Sequence, residues 1–259
     1  MSSRSDHGVR MPAPSNFTRR KPGAATSLPS GLPHYELLRE FRKDADHPLL
    51  WHHSVLQDEN LVPRLAESSP PPFQPVDLQD VLGVPGPWEI ELCTGKGRFL
   101  CEYATLHPER GILGVEWTRP IAWYAADKLQ QRKVEHHTRI LWGDGLYFLR
   151  DRLPAGICHT FHIYFPDPWP RHKDRRILRP DLLAQFRRLA VPGCVFHWAT
   201  DHEEYNTSAH ALLTRTEGFA LVQANAPPTE GIRTGFESKY LAEGRPIYRS
   251  IWSVEPAGI

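Results

Sequence analysis

From about residue 76 onward, short apolar runs alternate with amphipathic stretches, and this alternation constrains the fold more than any other feature of the chain. The stretches WEIELC, FLCEYATLH, GILGVE, IAWYAADKLQQRK, RILWGD and CHTFHIYF predict strand, helix, strand, helix, strand and strand. The helix PDLLAQFRRLA, the strand CVFHWATD and the helix EEYNTSAHALLTRTE follow, and FALVQA and PIYRSIWS predict an antiparallel pair at the edge. Apolar strands separated by helices predict an α/β fold with a mostly parallel sheet and helices on both faces.

The 259 residues divide into three segments of different composition. Residues 1–33 are rich in Ser, Pro, Gly and Arg, which predicts a disordered, mildly basic tail. Residues 34–75 combine a helical candidate, YELLREFRK, with the linker-like stretch SSPPPFQP. Residues 76–259 are expected to form one domain around a single core.

Composition excludes several classes of protein. A formal net charge of +1 excludes a uniformly basic coat, so any anion-binding surface is local, as in the cation-rich stretch at residues 171–176. The cysteines Cys93, Cys101, Cys158 and Cys194 lie far apart, which is typical of reduced thiols in a cytoplasmic protein. The histidines show no metal-ligand spacing, so no metal is expected. No stretch has the length of a membrane span, and the N-terminus lacks the apolar core of a signal peptide.

The stretch IYFPDPWPRHKDRR contains the strongest local signal for a functional site. Three prolines in the Pro-rich loop (residues 165–170) fix φ and are expected to push the residues before them into extended conformations. The loop would therefore present Asp167 rigidly at the carboxyl end of a strand, where open α/β sheets bind ligands. The alternative is a solvated turn, but Trp169 and the cations that follow it favour an active-site loop facing a nucleic acid.

Three successive strand ends carry the features of an adenosine-binding crevice. Gly95 and Gly97 lie in a Gly-rich turn (residues 93–97) after the first strand, where they allow close approach of a ligand. Glu116 ends the next strand and is placed to accept hydrogen bonds from ribose hydroxyls. Asp144 ends the third strand, where an adenine edge is expected.

The ligand is either a dinucleotide or S-adenosylmethionine. The glycines do not follow G-x-G-x-x-G, and Glu91 precedes the turn, where it would repel a pyrophosphate. Glu91 suits the cationic methionine end of S-adenosylmethionine, so electrostatics favour the methyl donor.

The motifs ELCTGKG, GVE, GDG, FPDPWP, ATD and TGFESKYLAEG occur in this order and together resemble the bacterial tRNA (guanine-N7)-methyltransferases. The resemblance covers residues 76–252. It implies a class I methyltransferase (Rossmann-like) fold with a mostly parallel seven-stranded sheet and an antiparallel edge strand. It also implies S-adenosylmethionine as donor and transfer to a guanosine in tRNA, at variable-loop position 46. Related enzymes generally act without an obligatory protein partner, so a monomer or homodimer is expected.

The resemblance assigns roles to individual positions. Asp167 matches the active-site residue, and Glu91, Glu116 and Asp144 match donor contacts beside Gly95 and Gly97. The implied substrate contacts are Arg171, Arg175, Arg176, Asp201, Thr234, Gly235, Phe236 and Glu237.

Three departures from the family pattern are visible. Cys93 replaces the first glycine of the turn, so the backbone there is expected to avoid positive φ. The basic loop after Trp169 is shorter than in the family. Arg171 stands where the family usually has lysine, so the planar guanidinium of arginine replaces the point charge of a lysine ammonium.

Structural roles remain open for several of these residues. Asp144 and Asp201 are also suited to cap the helices after them, and Thr234 and Glu237 have the spacing of a capping box. Arg175 and Arg176 would equally suit a solvated helix face. The competing functions are a divergent paralogue that methylates another RNA or a small molecule, and a non-catalytic RNA-binding protein on the same fold.

Overall fold

The structure, a computed structural model, describes residues 39–43, 50–55 and 75–258. The strands are β1 Arg39–Lys43, β2 Leu50–Val55, β3 Trp88–Leu92, β4 Ile112–Glu116, β5 Thr138–Gly143, β6 Cys158–Tyr164, β7 Ala190–Thr200, β8 Phe219–Ala224 and β9 Tyr248–Val254. The helices are α1 Leu78–Leu82, α2 Arg98–Leu106, α3 Arg119–Arg132, α4 Gly145–Arg152, α5 Pro180–Leu189, α6 Glu203–Arg215 and α7 Gly235–Ala242. Single 3₁₀ turns cover Lys173–Arg175 and Thr229–Gly231.

Within the described residues the strands form one sheet in the order β1-β2-β5-β4-β3-β6-β7-β9-β8. The strands from β2 to β7 pair in parallel, and β9 pairs antiparallel with both β7 and β8. The predicted seven-stranded, mostly parallel sheet is therefore confirmed in β3 to β9, as is the antiparallel pair at its edge. Strands β1 and β2 extend it to nine strands beyond β5.

Two local predictions were wrong. The described part of the helical candidate YELLREFRK is strand β1, which pairs antiparallel with β2. Pairing with β2 satisfies its backbone groups, and this tertiary gain overrides a weak helix propensity. Helix α4 was missed between RILWGD and CHTFHIYF because it is only two turns long. The rest of segment 34–75 and the tail at residues 1–33 lie outside the described residues.

Helices cover both faces of the sheet. On one face, apolar side chains of α1, α4, α5 and α6 form a large core with the strands, and Phe161, Phe196 and Trp198 are fully buried there. On the other face, α2 and α3 form a second cluster around Phe99, Leu100 and Leu129. Both faces of the central strands are therefore buried, as in other mostly parallel sheets.

The α2 face of the central strands is polar although it is buried. Because side chains alternate along a strand, Ile90 and Leu92 face the large core while Glu89 and Glu91 point the other way. His162 on β6 and His197 on β7 stack on this face with ring centroids 5.1 Å apart. The central sheet therefore carries a buried polar strip instead of a second fully apolar layer.

The strand order reverses between β3 and β6. From β3 the chain proceeds outward through β4 to β5, and it then returns to place β6 on the other side of β3. Ligands of open α/β sheets bind outside the carboxyl ends of the strands at such a switch point. The Gly-rich turn after β3 and the Pro-rich loop after β6 flank this point.

Candidate active site

The Gly-rich turn has three left-handed residues. Cys93, Gly95 and Gly97 have φ values of 60°, 57° and 65°. The expectation that Cys93 avoids positive φ was wrong. Hydrogen bonds on both sides hold the turn, because Thr94 N–H donates to Val115 O and Thr94 Oγ1 donates to the Glu91 carbonyl. These fixed neighbours impose a conformation that a non-glycine residue rarely adopts.

Glu91 is buried at the end of β3, with 3% of its surface exposed. Its Oε2 atom has no hydrogen-bond partner among the described residues. Burial raises the pKa of Glu91 to about 8, opposed by a hydrogen bond from Thr94 and reinforced by the nearby Glu116 carboxylate. Near neutral pH, this carboxyl group is largely protonated until a cation reaches it.

Glu116 joins the Gly-rich turn to the start of α3. Its Oε2 accepts a hydrogen bond from Gly95 N–H at 3.0 Å, and its Oε1 accepts one from Thr118 N–H at 2.8 Å. Each oxygen retains a second lone pair for a ribose hydroxyl. A structural role thus coexists with the predicted contact to the donor.

Asp144 is the N-cap of α4, and its Oδ1 accepts a hydrogen bond from Tyr147 N–H at 3.2 Å. The capping role considered for this residue is therefore present. Its position at the end of β5 also fits the predicted contact with adenine, which stays a prediction.

Asp167 is exposed in the Pro-rich loop beside the Gly-rich turn. Strands β3 and β6 are paired neighbours, so the Gly-rich turn and the Pro-rich loop follow adjacent strands at the same edge of the sheet. The predicted active-site residue and the donor contacts predicted in the Gly-rich turn are therefore carried by neighbouring strand ends. Burial, with the carboxylates of Glu116, Asp167 and Glu91, raises the pKa of the half-buried Cys93 thiol.

The backbone of this loop differs from the sequence prediction. Phe165 and Trp169 precede prolines, yet their φ values are 53° and 40°, so the expected extended conformations were wrong at both positions. Phe165 is buried and its N–H donates to Ala199 O, while the Trp169 carbonyl closes a turn with His172 N–H. Packing and hydrogen bonds offset the strained backbone on both sides of Asp167.

Arg176 is a structural clamp for this loop. It is 5% exposed, its Nε donates to Pro168 O at 2.8 Å, and its Nη1 donates to Ser208 Oγ at 2.9 Å. It also pairs with Glu204 on α6 and lies over the Tyr205 ring at 4.4 Å. Its donors are directed into the protein, so this placement does not support the predicted contact with substrate.

Arg171 and Arg175 are exposed, in contrast to Arg176. The Arg175 guanidinium lies 5.3 Å from the Trp169 ring centroid, which leaves its charge accessible to phosphate. Both residues remain suited to the predicted tRNA contact.

Asp201 follows β7 and does not cap α6, whose N-cap is His202. Its Oδ2 instead accepts a hydrogen bond from Arg245 Nη2. The alternative that Asp201 caps the following helix was therefore wrong. The Asp201 carboxylate, which was predicted to contact substrate, is hydrogen-bonded to Arg245.

The segment from Thr234 to Glu237 forms the first turn of α7. Thr234 is its N-cap and accepts a hydrogen bond from Glu237 N–H at 3.0 Å, as the capping-box spacing predicted. Glu237 is 2% exposed, and its carboxylate pairs with Arg249 on β9. Gly235 and Phe236 are exposed, and a methyl group at Gly95 would lie 3.8 Å from the Phe236 ring. Helix α7 therefore covers the Gly-rich turn, but the Glu237 side chain faces inward.

Three further residues at this edge escaped the sequence analysis. Tyr240 lies on α7, Arg245 lies between α7 and β9, and Arg249 pairs with Glu237. Tyr240 lies within the motif TGFESKYLAEG but was given no role, and Arg245 and Arg249 follow that motif. The available signal was the carboxylates themselves, since a buried carboxylate requires a cationic or hydrogen-bonding partner.

The residues present fit S-adenosylmethionine. The unpartnered, buried Glu91 Oε2 suits a cationic group, and the left-handed glycines bring the backbone close to the crevice. Glu116 supplies acceptor lone pairs for ribose hydroxyls.

Comparison with known proteins decides the family. A family model described as "Putative methyltransferase" matches residues 85–250. The tRNA (guanine-N(7)-)-methyltransferase of Alkalilimnicola ehrlichii is 31% identical over 73% of this chain and 82% of that protein. The protein of the same name from Halorhodospira halophila is 32% identical over 70% and 80%. The chain belongs to the tRNA (guanine-N7)-methyltransferase family. The methyl donor of this methyltransferase family is S-adenosylmethionine.

Solved structures agree on the fold. The 16S rRNA methyltransferase KamB matches with a TM-score of 0.53 and 16% identity, over 69% of this chain and 93% of that chain. At this identity the match shows the class I methyltransferase architecture alone.

Among the helices described, none is long and apolar enough to cross a membrane. Across residues 39–43, 50–55 and 75–258, no three histidine, cysteine or acidic side chains are grouped so that they could hold a metal ion.

Proposed function

We propose that this protein transfers the methyl group of S-adenosylmethionine to N7 of a guanosine in tRNA, at position 46 of the variable loop. The observation that supports the proposal is that β3 and β6 are paired neighbours at the switch point, so that the Gly-rich turn and the loop carrying Asp167 follow adjacent strands. Membership of the tRNA (guanine-N7)-methyltransferase family supports the acceptor. The bound donor supplies an electrophilic methyl group.

The chain's own residues need only position the reactants. Guanine N7 carries a lone pair and no proton, so no general base is required, and alignment of the attacking nitrogen with the methyl group provides most of the rate enhancement. The product ring is cationic. The exposed Asp167 carboxylate is placed to stabilise that charge as it develops.

Guanine recognition is assigned to Asp201. The N1–H and N2–H₂ groups of guanine present only donors, which a carboxylate accepts, whereas the N1 of adenine is an acceptor. Glu237 is less suited to this role than its sequence position indicated, because it is buried against Arg249. We propose that it fixes the start of α7 instead.

The tRNA backbone would contact the exposed cations after the Pro-rich loop. Arg171 and Arg175 are exposed and follow Asp167 closely in the chain, and neutralised phosphates would make binding salt-dependent. This binding would offset part of the cost of unstacking the target base. We expect a monomer or homodimer, which light scattering after gel filtration measures.

The test is methyl transfer from labelled S-adenosylmethionine to unmodified tRNA transcripts, followed by nucleoside analysis for 7-methylguanosine. A matched transcript with adenosine at position 46 tests the proposed position. The expected result is product with the first transcript and none with the second. Donor binding without product would direct the search to another acceptor, and no donor binding would indicate a non-catalytic protein.

A further inference from the structure

Arg245 resembles the proposed substrate in the groups that it presents. Its guanidinium is planar and offers N–H donors along one edge, as the Watson–Crick edge of guanine does through N1–H and N2–H₂. One of these donors, Nη2, is bonded to Asp201 Oδ2. The carboxylate assigned to guanine is therefore occupied by a group of the same donor chemistry.

Arg245 also stacks as a base would. Its guanidinium carbon lies 4.0 Å from the centroid of the Tyr240 ring. Tyr240 is half-buried against Phe165 of the Pro-rich loop, with ring centroids 5.8 Å apart. The Asp167 carboxylate is close enough to contribute to the raised pKa of Tyr240, after burial and Glu243. A planar group on this ring lies beside the proposed active-site residue.

We propose that Arg245 is a placeholder for the target base, and that guanine replaces it with its Watson–Crick edge on Asp201 and its ring on Tyr240. This inference rests on the proposed function and adds Tyr240 as the stacking surface. With 42% of its side chain exposed, Arg245 can leave towards solvent without unpacking the core. Asp201 is 10% exposed, so the arginine spares it an unpaired charge while no base is bound.

Arg245→Ala should strengthen tRNA binding, which is the opposite of the usual effect of removing a surface cation. Removing a cation from a surface that faces RNA normally weakens binding. Removing a competitor instead increases the fraction of protein that can accept the base, so the Kd and KM for tRNA should fall about threefold or more. The matched control is Arg233→Ala, which removes an exposed cation just before α7 and should raise both constants. Anisotropy of labelled tRNA gives Kd independently of turnover.

Guanidinium ion is a direct probe of the vacated position. At low millimolar concentration it should compete with tRNA for Arg245→Ala, restoring the higher Kd of the wild type, while sodium chloride at equal ionic strength should not. The wild type, whose position is filled, should show the same small effect with both salts.

The stacking role of Tyr240 is tested by substitutions that keep or remove its aromatic ring. Tyr240→Phe keeps the stacking surface and should retain affinity, whereas Tyr240→Leu should raise the KM about tenfold, as expected for a lost base-stacking contact. In a transcript carrying a fluorescent guanine analogue that keeps N1–H and N2–H₂ at the target position, fluorescence should be quenched by the wild type and by Tyr240→Phe but not by Tyr240→Leu.

A higher Kd for Arg245→Ala, or equal effects of guanidinium on that variant and the wild type, would overturn the inference. Failure of the proposed function is distinguishable, because the wild type would then form no 7-methylguanosine whatever the Arg245 variants show in binding.

Discussion

Three acidic side chains on or beside the central strands lie in different surroundings. Glu89 is buried beside donors and Glu91 is buried without a partner for Oε2, whereas Asp167 is exposed. Burial and hydrogen bonding therefore act differently on similar acidic groups. Each environment leads to a different experimental consequence.

Glu91 should make donor binding depend on pH. Its pKa of about 8 keeps it protonated near neutral pH, and a cationic donor favours the ionised form. Binding should therefore release a proton, and affinity should fall by up to about tenfold for each pH unit below the pKa. Calorimetry in two buffers of different ionisation enthalpy measures the released proton. Glu91→Gln should bind more weakly and without this pH dependence, whereas a pH-dependence that persists in the variant would contradict the assignment.

Removing the charge of Asp167 should lower the turnover rate much more than the affinity for the methyl donor. Asp167→Asn keeps the size of the side chain but removes its charge, so kcat should fall about 100-fold while donor Kd changes little. Single-turnover formation of 7-methylguanosine and donor calorimetry separate the two effects. Equal losses in both would place Asp167 in the donor site instead.

At the scale of elements, the Pro-rich loop depends on α6 for its shape. The loop contains left-handed residues before two prolines, and Arg176 connects its backbone to Glu204 and Ser208 on α6. Hydrogen bonds to Arg176 and Lys173 lower the pKa of Glu204 to about 2, so the partner carboxylate stays ionised. The Pro-rich loop is thus held by a helix that comes later in the chain.

Alanine variants of the neighbouring residues Arg175 and Arg176 should have different effects, one on tRNA binding and the other on stability. Arg176→Ala leaves Pro168 O without its donor and should lower the free energy of unfolding by about 1–3 kcal/mol. Arg175→Ala is the matched variant of an exposed arginine, and it should leave the free energy of unfolding unchanged. It should raise the Kd for tRNA and reduce the slope of log Kd against log salt concentration by about one, as expected for one lost phosphate contact. Urea denaturation and salt titrations of tRNA binding measure these effects. The interpretation fails if the two variants exchange phenotypes.

At the scale of the whole molecule, one polar strip crosses the centre of the sheet. Glu89 Oε2 bonds to His162 Nε2 at 2.9 Å, and His162 Nδ1 bonds to Tyr164 at 3.0 Å. Tyr164 then contacts Thr229, which contacts His197 Nδ1 at 3.1 Å. Strands β3, β6 and β7 and the turn before α7 are therefore joined beneath the proposed site, so the strip fixes their relative positions.

Glu89 should stabilise the fold in a pH-dependent manner. Burial opposes its ionisation, but His162, Arg110 and Tyr103 together lower its pKa to about 2. A lowered carboxyl pKa contributes stability above the unfolded value, and this contribution is lost as pH falls from 4.5 towards 2. Glu89→Gln should therefore cost on the order of 3 kcal/mol near neutral pH and progressively less in acid.

The control for Glu89 is Glu102→Gln. Glu102 is paired with Arg98 on the surface of α2, and such pairs contribute about 0.5 kcal/mol or less. Urea denaturation at several pH values compares the two variants. A cost for Glu89→Gln that does not change with pH would indicate lost packing instead of lost charge.

The sequence by itself determined the central sheet, most of the helices that cover it and the strand ends that carry the proposed site. These follow from periodicity and from short motifs such as ELCTGKG and FPDPWP, because parallel strands must deliver their carboxyl ends to one edge. Strand β1 could not be predicted, since a segment at a sheet edge adopts the structure that its neighbour allows.

Only the tertiary structure decided which charges face the crevice. Adjacent arginines look alike in sequence, yet Arg175 is exposed and Arg176 is buried against α6. Asp201 and Arg245 are 44 residues apart, so no local pattern reports their contact. Charge pairing depends on distance in space and on burial, and both are set by packing of elements that the sequence separates.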